Sequence, residues 1–383
     1  MKKIIIASDS FKGSVSSLEV AESVKKAIHS VFPNCEVGMI PVADGGEGTV
    51  EAMVDGLNGQ WITCKVHDPL MQPMEAAYGI LGDGKTAVLE MASASGLTLV
   101  PPEKRNPMLT TTYGTGEMIR DALQRGCRQF LIGIGGSATN DAGTGMLQAL
   151  GFRFCDGEGR ELGFGGQILS HIRKIDCTHV LPALAESTFT VACDVNNPFS
   201  GKNGAAHIFA RQKGADDAMI GELDNGLRHF AGVIEAQLGI TVNNIPGAGA
   251  AGGLGGGFIA FLSAILKPGI QMVLEAVRFA EKIQGADLII TGEGKLDRQT
   301  GMGKTPAGVL NAATQQNIPV IAIGGSVEDV EALNRMGFLA ILPIQPGVVS
   351  LQQAMDKAFA CNQISRTVEQ VLRVIKHLHS HKQ

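Results

Sequence analysis

The residues able to do chemistry in this chain are gathered in short polar clusters that follow apolar runs. The first is Asp9-Ser10-Phe11-Lys12-Gly13-Ser14. A carboxylate, hydroxyls and a lysine stand there just ahead of a helix start, where Lys12 would suit a phosphate or carboxylate. An ordinary capping loop with a solvated lysine is the plainer reading. The second is Asp44-Gly45-Gly46-Glu47-Gly48-Thr49. Its glycines expose backbone N–H groups and its two acids suit a magnesium ion; otherwise Asp44 caps a tight turn. The third runs Gly133-Ile134-Gly135-Gly136-Ser137-Ala138-Thr139-Asn140-Asp141-Ala142-Gly143. Gly135, Gly136, Ser137, Thr139, Asn140 and Asp141 offer N–H groups and small polar side chains that can form a nest for an anion. The same residues fit the dinucleotide pattern G-x-G-x-x-A, with acids following at Asp156, Glu158 and Glu161. Those acids lie in a glycine-rich loop instead of ending a second strand, so polyphosphate is favoured over nicotinamide.

The fourth cluster is Thr291-Gly292-Glu293-Gly294-Lys295-Leu296-Asp297. A lysine and two acids at a strand end are what phosphoryl transfer needs: a cation on phosphate, and carboxylates on Mg²⁺ or near the nucleophile. Gly301-Met302-Gly303-Lys304-Thr305 imitates the end of a P-loop, but Arg298 occupies the place of the first glycine. Lys304-Thr305 is therefore read as a helix cap. A fifth candidate is Asp194, followed by Asn196-Asn197-Pro198, as a turn cap or as a base toward a substrate hydroxyl.

Elements that position these clusters can be read from periodicity. Residues 3–8 form an apolar strand. Ser16-Ser17-Leu18-Glu19 is a capping box, and Leu18, Ala21, Val24, Ile28 and Val31 continue it as a helical stripe. Residues 35–42 read as a strand and 47–57 as a helix. The pattern then changes: 61–66, 74–81 and 85–91 are strand-like, the last two joined by the hairpin signal Gly82-Asp83-Gly84. A helix over 115–124, a strand over 129–134, a helix over 143–150 and a strand over 189–195 follow. Alternation returns with strands at 287–291, 319–323 and 338–344. A helix opened by Thr305 as N-cap and Pro306 runs through 313, and another covers 327–336. The simplest α/β architecture joins both ends, 1–65 plus 286–383, into one Rossmann-like parallel-sheet domain. A second, mixed α/β domain, 66–285, is inserted in it.

Bulk properties bound the rest. At 383 residues the chain has room for two cores. A net charge of −5 gives no basic footprint, and one Trp with two Tyr leaves few stacking platforms. Neither nucleic acid nor membrane is expected as a partner, and oligomeric state is open. Seven cysteines without C-x-x-C spacing read as reduced thiols, and His207, His377, His379 and His381 lack metal-ligand context. Residues 245–266 carry no charge but are rich in Gly and Ala, so a packed loop and helix is expected. A cytoplasmic location is the default.

The first four motifs, in this order, resemble the bacterial class I glycerate kinase family, from the first strand to at least Gly325. One departure is Ala142, where that family is expected to carry glycine. The resemblance implies ATP and Mg²⁺ as cosubstrates, D-glycerate as acceptor and its 2-hydroxyl as the phosphorylated group. It also implies a Rossmann-like domain with an inserted α/β domain. The roles of single residues are a physical reading and not part of the resemblance: Gly45, Gly46 and the 135–141 loop cradle ATP. Lys12 and Lys295, with Asp9 and Ser10, meet phosphate and the glycerate carboxylate. Glu293 or Asp297 holds the metal, and Asp194 or Asp44 is the base. Kinase action at the 3-hydroxyl, an NAD-dependent hydroxy-acid oxidoreductase and a non-catalytic organic-acid sensor are the rival readings.

Overall fold

In the computed structural model, residues 1–46 and 48–380 are described; the readings of Glu47 and His381 fall outside them. The chain divides into two units, Met1–Asp44 with Glu51–Leu57 and Gly269–Gln383, and Gly45–Val50 with Asn58–Pro268.

In the first unit both chain ends supply near-continuous apolar strands, the pattern of strands covered on both faces. Ile4, Ile5, Ile6, Leu288, Ile289 and Ile290 are all buried. The strands pair in parallel, in the order Ala340–Pro343, Val320–Val327, Leu288–Leu296, Lys3–Ile6, Glu36–Met39. The expected capping box is present: Ser16 and Glu19 satisfy each other's backbone N–H groups at the start of helix Ser17–Val31. That helix turns Val20, Val24 and Ile28 toward Ile364, Val368 and Leu372 of the helix Lys357–Ser380.

Two local expectations fail here. The strand expected to end at 291 continues to Leu296, pairing Glu293 with Gly324 and Lys295 with Ser326. The glycines permit this, since a Cβ at Gly325 would lie 2.6 Å from the Gly294 carbonyl oxygen. Nor is Thr305 the N-cap of its helix. Lys304 holds that position without a side-chain bond, and Thr305 is the first residue of Thr305–Thr314.

The second unit carries a six-stranded sheet in the order Ile265–Lys267, Thr188–Ala192, Gln129–Gly133, Thr86–Glu90, Pro73–Ile80, Gln60–His67. The predicted hairpin pairs Gly79 with Val88 and Ile80 with Ala87, antiparallel. Gln60–His67 joins its outer edge antiparallel, so this strand belongs to the second sheet and not to a domain ending at 65. The other pairings are parallel. The core is filled by Tyr78, Phe130, Phe154, Phe230 and Phe258.

The charge-free stretch forms the helix Ala250–Leu262, broken at its start by left-handed Ala251, Gly252 and Gly253. Its Leu254, Phe258 and Leu262 lie in the core of the second unit. Among the described residues no helix is long and apolar enough to cross a membrane.

Gly252 has φ +72°, and a Cβ there would sit 2.1 Å from the Thr139 carbonyl oxygen. Gly252→Ala should therefore destabilise the protein by about 2–4 kcal/mol, combining left-handed strain with overpacking. Gly221→Ala, in the helix Asp217–Leu238 with nothing within 4 Å, should instead stabilise by about 0.5–1 kcal/mol. Urea unfolding of the two variants measures the contrast, and equal effects would contradict this packing.

Candidate active site

A parallel sheet brings the carboxyl ends of its strands to one edge, so polar residues placed just after adjacent strands are forced together. Lys3–Ile6 lies between Leu288–Leu296 and Glu36–Met39, with Ile6 in register with Ile290 and with Met39. Three residues beyond that register, Asp9 and Glu293 lie at the same level, and the Asp9 N–H donates to the Gly292 carbonyl at 2.9 Å. Asp44 follows the third strand. All three carboxylates line one cavity of about 710 Å³, together with Ser10, Lys12, Lys295 and Lys304.

Each acid is held by named donors. One Asp9 oxygen accepts from the Ser10 N–H at 2.7 Å and the other from the Thr305 hydroxyl at 3.0 Å. The Glu293 carboxylate accepts from the Thr300 hydroxyl at 2.6 Å, and Lys304 Nζ stands 3.8 Å from its other oxygen. Lys12 Nζ lies 3.4 Å from Asp44. These contacts do not offset the crowding. Burial, with Asp44 adding to it, pushes Asp9 up to about 6. Burial pushes Glu293 up to about 7 against the pull of Thr300 and Lys304, and Asp9 and Asp44 raise it further.

Such oxygens suit a hard divalent cation. Among the described residues, no three acids, histidines or cysteines already stand at metal-ligand spacing. The geometry favours Glu293 over Asp297. One Asp297 oxygen caps Gln299 at 2.9 Å and the other faces Lys295 at 3.5 Å, outside the cavity lining. Lys295 also pairs with Glu328 at 3.0 Å and is half exposed.

The remaining candidates belong to the second unit. Asp194 is exposed, two residues beyond Thr188–Ala192. Gly45 packs on the Gln129–Gly133 strand, where a Cβ at Gly133 would meet its carbonyl oxygen at 2.6 Å; Gly46 follows it. In the 135–141 loop only Gly135 and Gly136 are exposed. Asp141 is fully buried and accepts from the Thr112 N–H at 2.8 Å and hydroxyl at 2.9 Å. It also accepts from the Gly143 N–H at 3.1 Å and the Gly145 N–H at 3.3 Å. The short helix Thr144–Ala149 therefore already has an anion of the protein's own at its start. Burial raises the Asp141 pKa against those bonds. The helix opens only at Thr144, well past Ala138, and Asp156 sits in a turn bonded to Arg160. Neither arrangement is that of the dinucleotide fingerprint, in which the helix opens within the glycine motif and the acid ends a second strand.

Sequence reasoning missed several residues. Lys304 and Thr305 were visible as a P-loop ending but set aside as a cap; they reach Glu293 and Asp9 instead. Lys213 gave no signal, since Arg211-Gln212-Lys213 reads as a surface run. It is buried, and its Nζ donates to the Ser137 hydroxyl at 2.7 Å and the Thr139 carbonyl at 2.6 Å, strapping the loop. Burial pushes Lys213 down to about 7, with Asp141 opposing. Beside it the Asn140 amide and the Thr139 hydroxyl are buried without partners.

Comparisons with known proteins agree with one another. The model of the glycerate kinase family matches residues 4–376. A glycerate kinase of Halalkalibacterium halodurans is 51% identical over 358 residues, covering 93% of this chain and 94% of its own. The glycerate 2-kinase of Escherichia coli is 49% identical over 358 residues, with the same two coverages, 93% and 94%. A crystal structure from Salmonella typhimurium, provisionally assigned as glycerate kinase 2, superposes with a TM-score of 0.92 at 42% identity, covering 99% of both chains.

The raised acids give a signed pH dependence. A carboxyl whose folded pKa lies above its unfolded value binds protons more tightly in the folded state, so stability falls as pH rises between the two values. For Glu293 this window runs from 4.5 to about 7. Removing this charge should therefore be worth progressively more through it. The stability of Glu293→Gln relative to wild type should climb with pH by up to roughly 1.4 kcal/mol for each pH unit crossed, and level off above about 7. Denaturant unfolding at a series of pH values without divalent cations reads this; a flat difference would contradict it.

Proposed function

The chain belongs to the glycerate kinase family, and from that premise we propose that it transfers the γ-phosphoryl group of ATP to D-glycerate, at the 2-hydroxyl, giving 2-phosphoglycerate and ADP. The observation that carries this is the register of three adjacent parallel strands, which gathers Asp9, Asp44 and Glu293 in one cavity with Lys12, Lys295 and Lys304. Phosphoryl transfer needs little covalent chemistry from a protein and much positioning of charge. Asp9 and Glu293 would hold Mg²⁺, which supplies neutralisation of phosphate charge when bound. Lys12, Lys295 and Lys304 would hold phosphate or the glycerate carboxylate. In the second unit, Gly135 and Gly136 with Gly45 and Gly46 are the backbone candidates for phosphate oxygens. Ser137, Thr139, Asn140 and Asp141 shape the loop that presents the first pair.

In the transfer the glycerate hydroxyl oxygen bonds to the γ-phosphorus, the bond to the ADP oxygen breaks, and the hydroxyl proton passes to a carboxylate. Asp44 and Asp194 are the two candidate bases. The preference for the 2-hydroxyl rests on the Escherichia coli relative, which is named a glycerate 2-kinase. A cytoplasmic location fits the cysteines, all unpaired by disulfides.

A coupled assay of glycerate-dependent ADP release tests the role assignments. Chelating divalent cations should abolish turnover. Lys304→Met should lower kcat/KM by about 10²–10³, the loss typical of one preorganised donor. Lys295→Met should cost less, about tenfold, because this side chain is 49% exposed and shared with Glu328. Full activity in Lys304→Met would remove Lys304 from the site.

A further inference from the structure

The geometry points to the 344–355 wall of this cavity as the seat of the nucleotide's purine ring, with Gln345 reading the ring's polar edge. This rests on the reading of the cavity as a kinase site and extends it to base recognition.

The cavity has two chemically distinct ends. Its charged end is formed where Lys3–Ile6, Glu36–Met39 and Leu288–Leu296 terminate. Its other end follows the edge strand Ala340–Pro343 and is apolar, formed by Val348, Val349, Leu351 and Met355. Val348 and Leu351 are 107% and 78% exposed, so this wall presents large aliphatic side chains with nothing of the first unit's core over them. Glycerate is small and polar throughout, and a cavity of about 710 Å³ far exceeds it. The complement of such a cavity is a molecule polyanionic at one end and flat and apolar at the other, which describes a purine nucleoside triphosphate.

Polar atoms refine the match. Gln345 lines the apolar end, and its Oε1 is shielded from solvent without a hydrogen-bond partner; Ser14 Oγ, also from the lining, is in the same state. Shielded polar atoms that lack partners are costly unless a ligand satisfies them. A glutamine amide offers one donor and one acceptor side by side, the pair complementary to the exocyclic amine and ring nitrogen of adenine. The corresponding edge of guanine has two acceptors and would leave the amide oxygen unmatched. The charge of the opposite end fixes which way the nucleotide lies, with its phosphates toward Lys12, Lys304 and the carboxylates.

Calorimetry on the full chain tests the assignment, with ADP, GDP and tripolyphosphate as separate probes in the presence of Mg²⁺. In the doubly substituted Val348→Asn, Leu351→Asn protein, the Kd for ADP should rise about tenfold while that for tripolyphosphate moves less than about twofold. Both positions are exposed, so the substitutions spare the core, and circular dichroism verifies folding. Gln345→Leu should narrow the preference for ADP over GDP. Unchanged ADP affinity in the double variant overturns the proposal. Coupled with a raised KM for D-glycerate, that result would make the apolar end the acceptor site. Coupled with a change in oligomeric state, it would make it a contact between copies. Wild-type protein that binds ADP with this pattern but does not phosphorylate glycerate would sink the acceptor assignment and leave the base seat standing.

Discussion

Like charges crowded at one edge of a sheet are the constraint on which this molecule's chemistry depends. The register of Ile6 with Ile290 and with Met39 sets Asp9, Glu293 and Asp44 around one cavity, and no side-chain rotation can move them far apart. Burial is the main reason that Asp9 and Glu293 hold protons up to about 6 and about 7, and repulsion from the neighbouring acids adds to it. The surrounding polar residues answer this constraint: Thr300 and Thr305 donate to two of the acids, and Lys12 and Lys304 stand beside Asp44 and Glu293. A magnesium ion held by these carboxylates would offset their charge. The crowded acids thereby cost stability that binding of such a ligand recovers.

A different solution to the same problem operates in the second unit. There the anion is internal: Asp141 occupies the N–H groups of Gly143 and Gly145 and the Thr112 hydroxyl. Lys213, itself buried, ties down Ser137 and Thr139. Gly252 fits against the Thr139 carbonyl where no larger residue could. The loop is fixed from behind by these contacts, and its exposed face is reduced to Gly135 and Gly136. The methyl group of Ala142, in a left-handed conformation at φ +54°, is accommodated within that frame.

Much of this was legible in the sequence because it depends on local signals. Apolar runs of Ile and Leu at both ends gave the parallel sheet, Ser16 and Glu19 gave a helix start, and Gly82-Asp83-Gly84 gave the hairpin. The acids Asp9, Asp44 and Glu293 stood out for the same reason, as polar residues at the ends of apolar runs. What escaped notice depends on long-range pairing. Gly292 and Gly294 look like a turn, yet the neighbouring strand with its own glycines lets the backbone run on extended to Leu296. Thr305 looks like a cap, yet Asp9, nearly three hundred positions away in the chain, takes its hydroxyl. Lys213 looks solvated, and only the fold buries it. Asp141 looked like part of a ligand cradle, yet its carboxylate is consumed in holding the loop.

Phosphoryl transfer to glycerate is tested most directly by phosphorus NMR of the product formed from ATP, Mg²⁺ and D-glycerate. The expected result is a resonance for 2-phosphoglycerate growing in step with ADP. A resonance for 3-phosphoglycerate would contradict the choice of hydroxyl, and no phosphorylated glycerate from folded protein would contradict the kinase assignment itself.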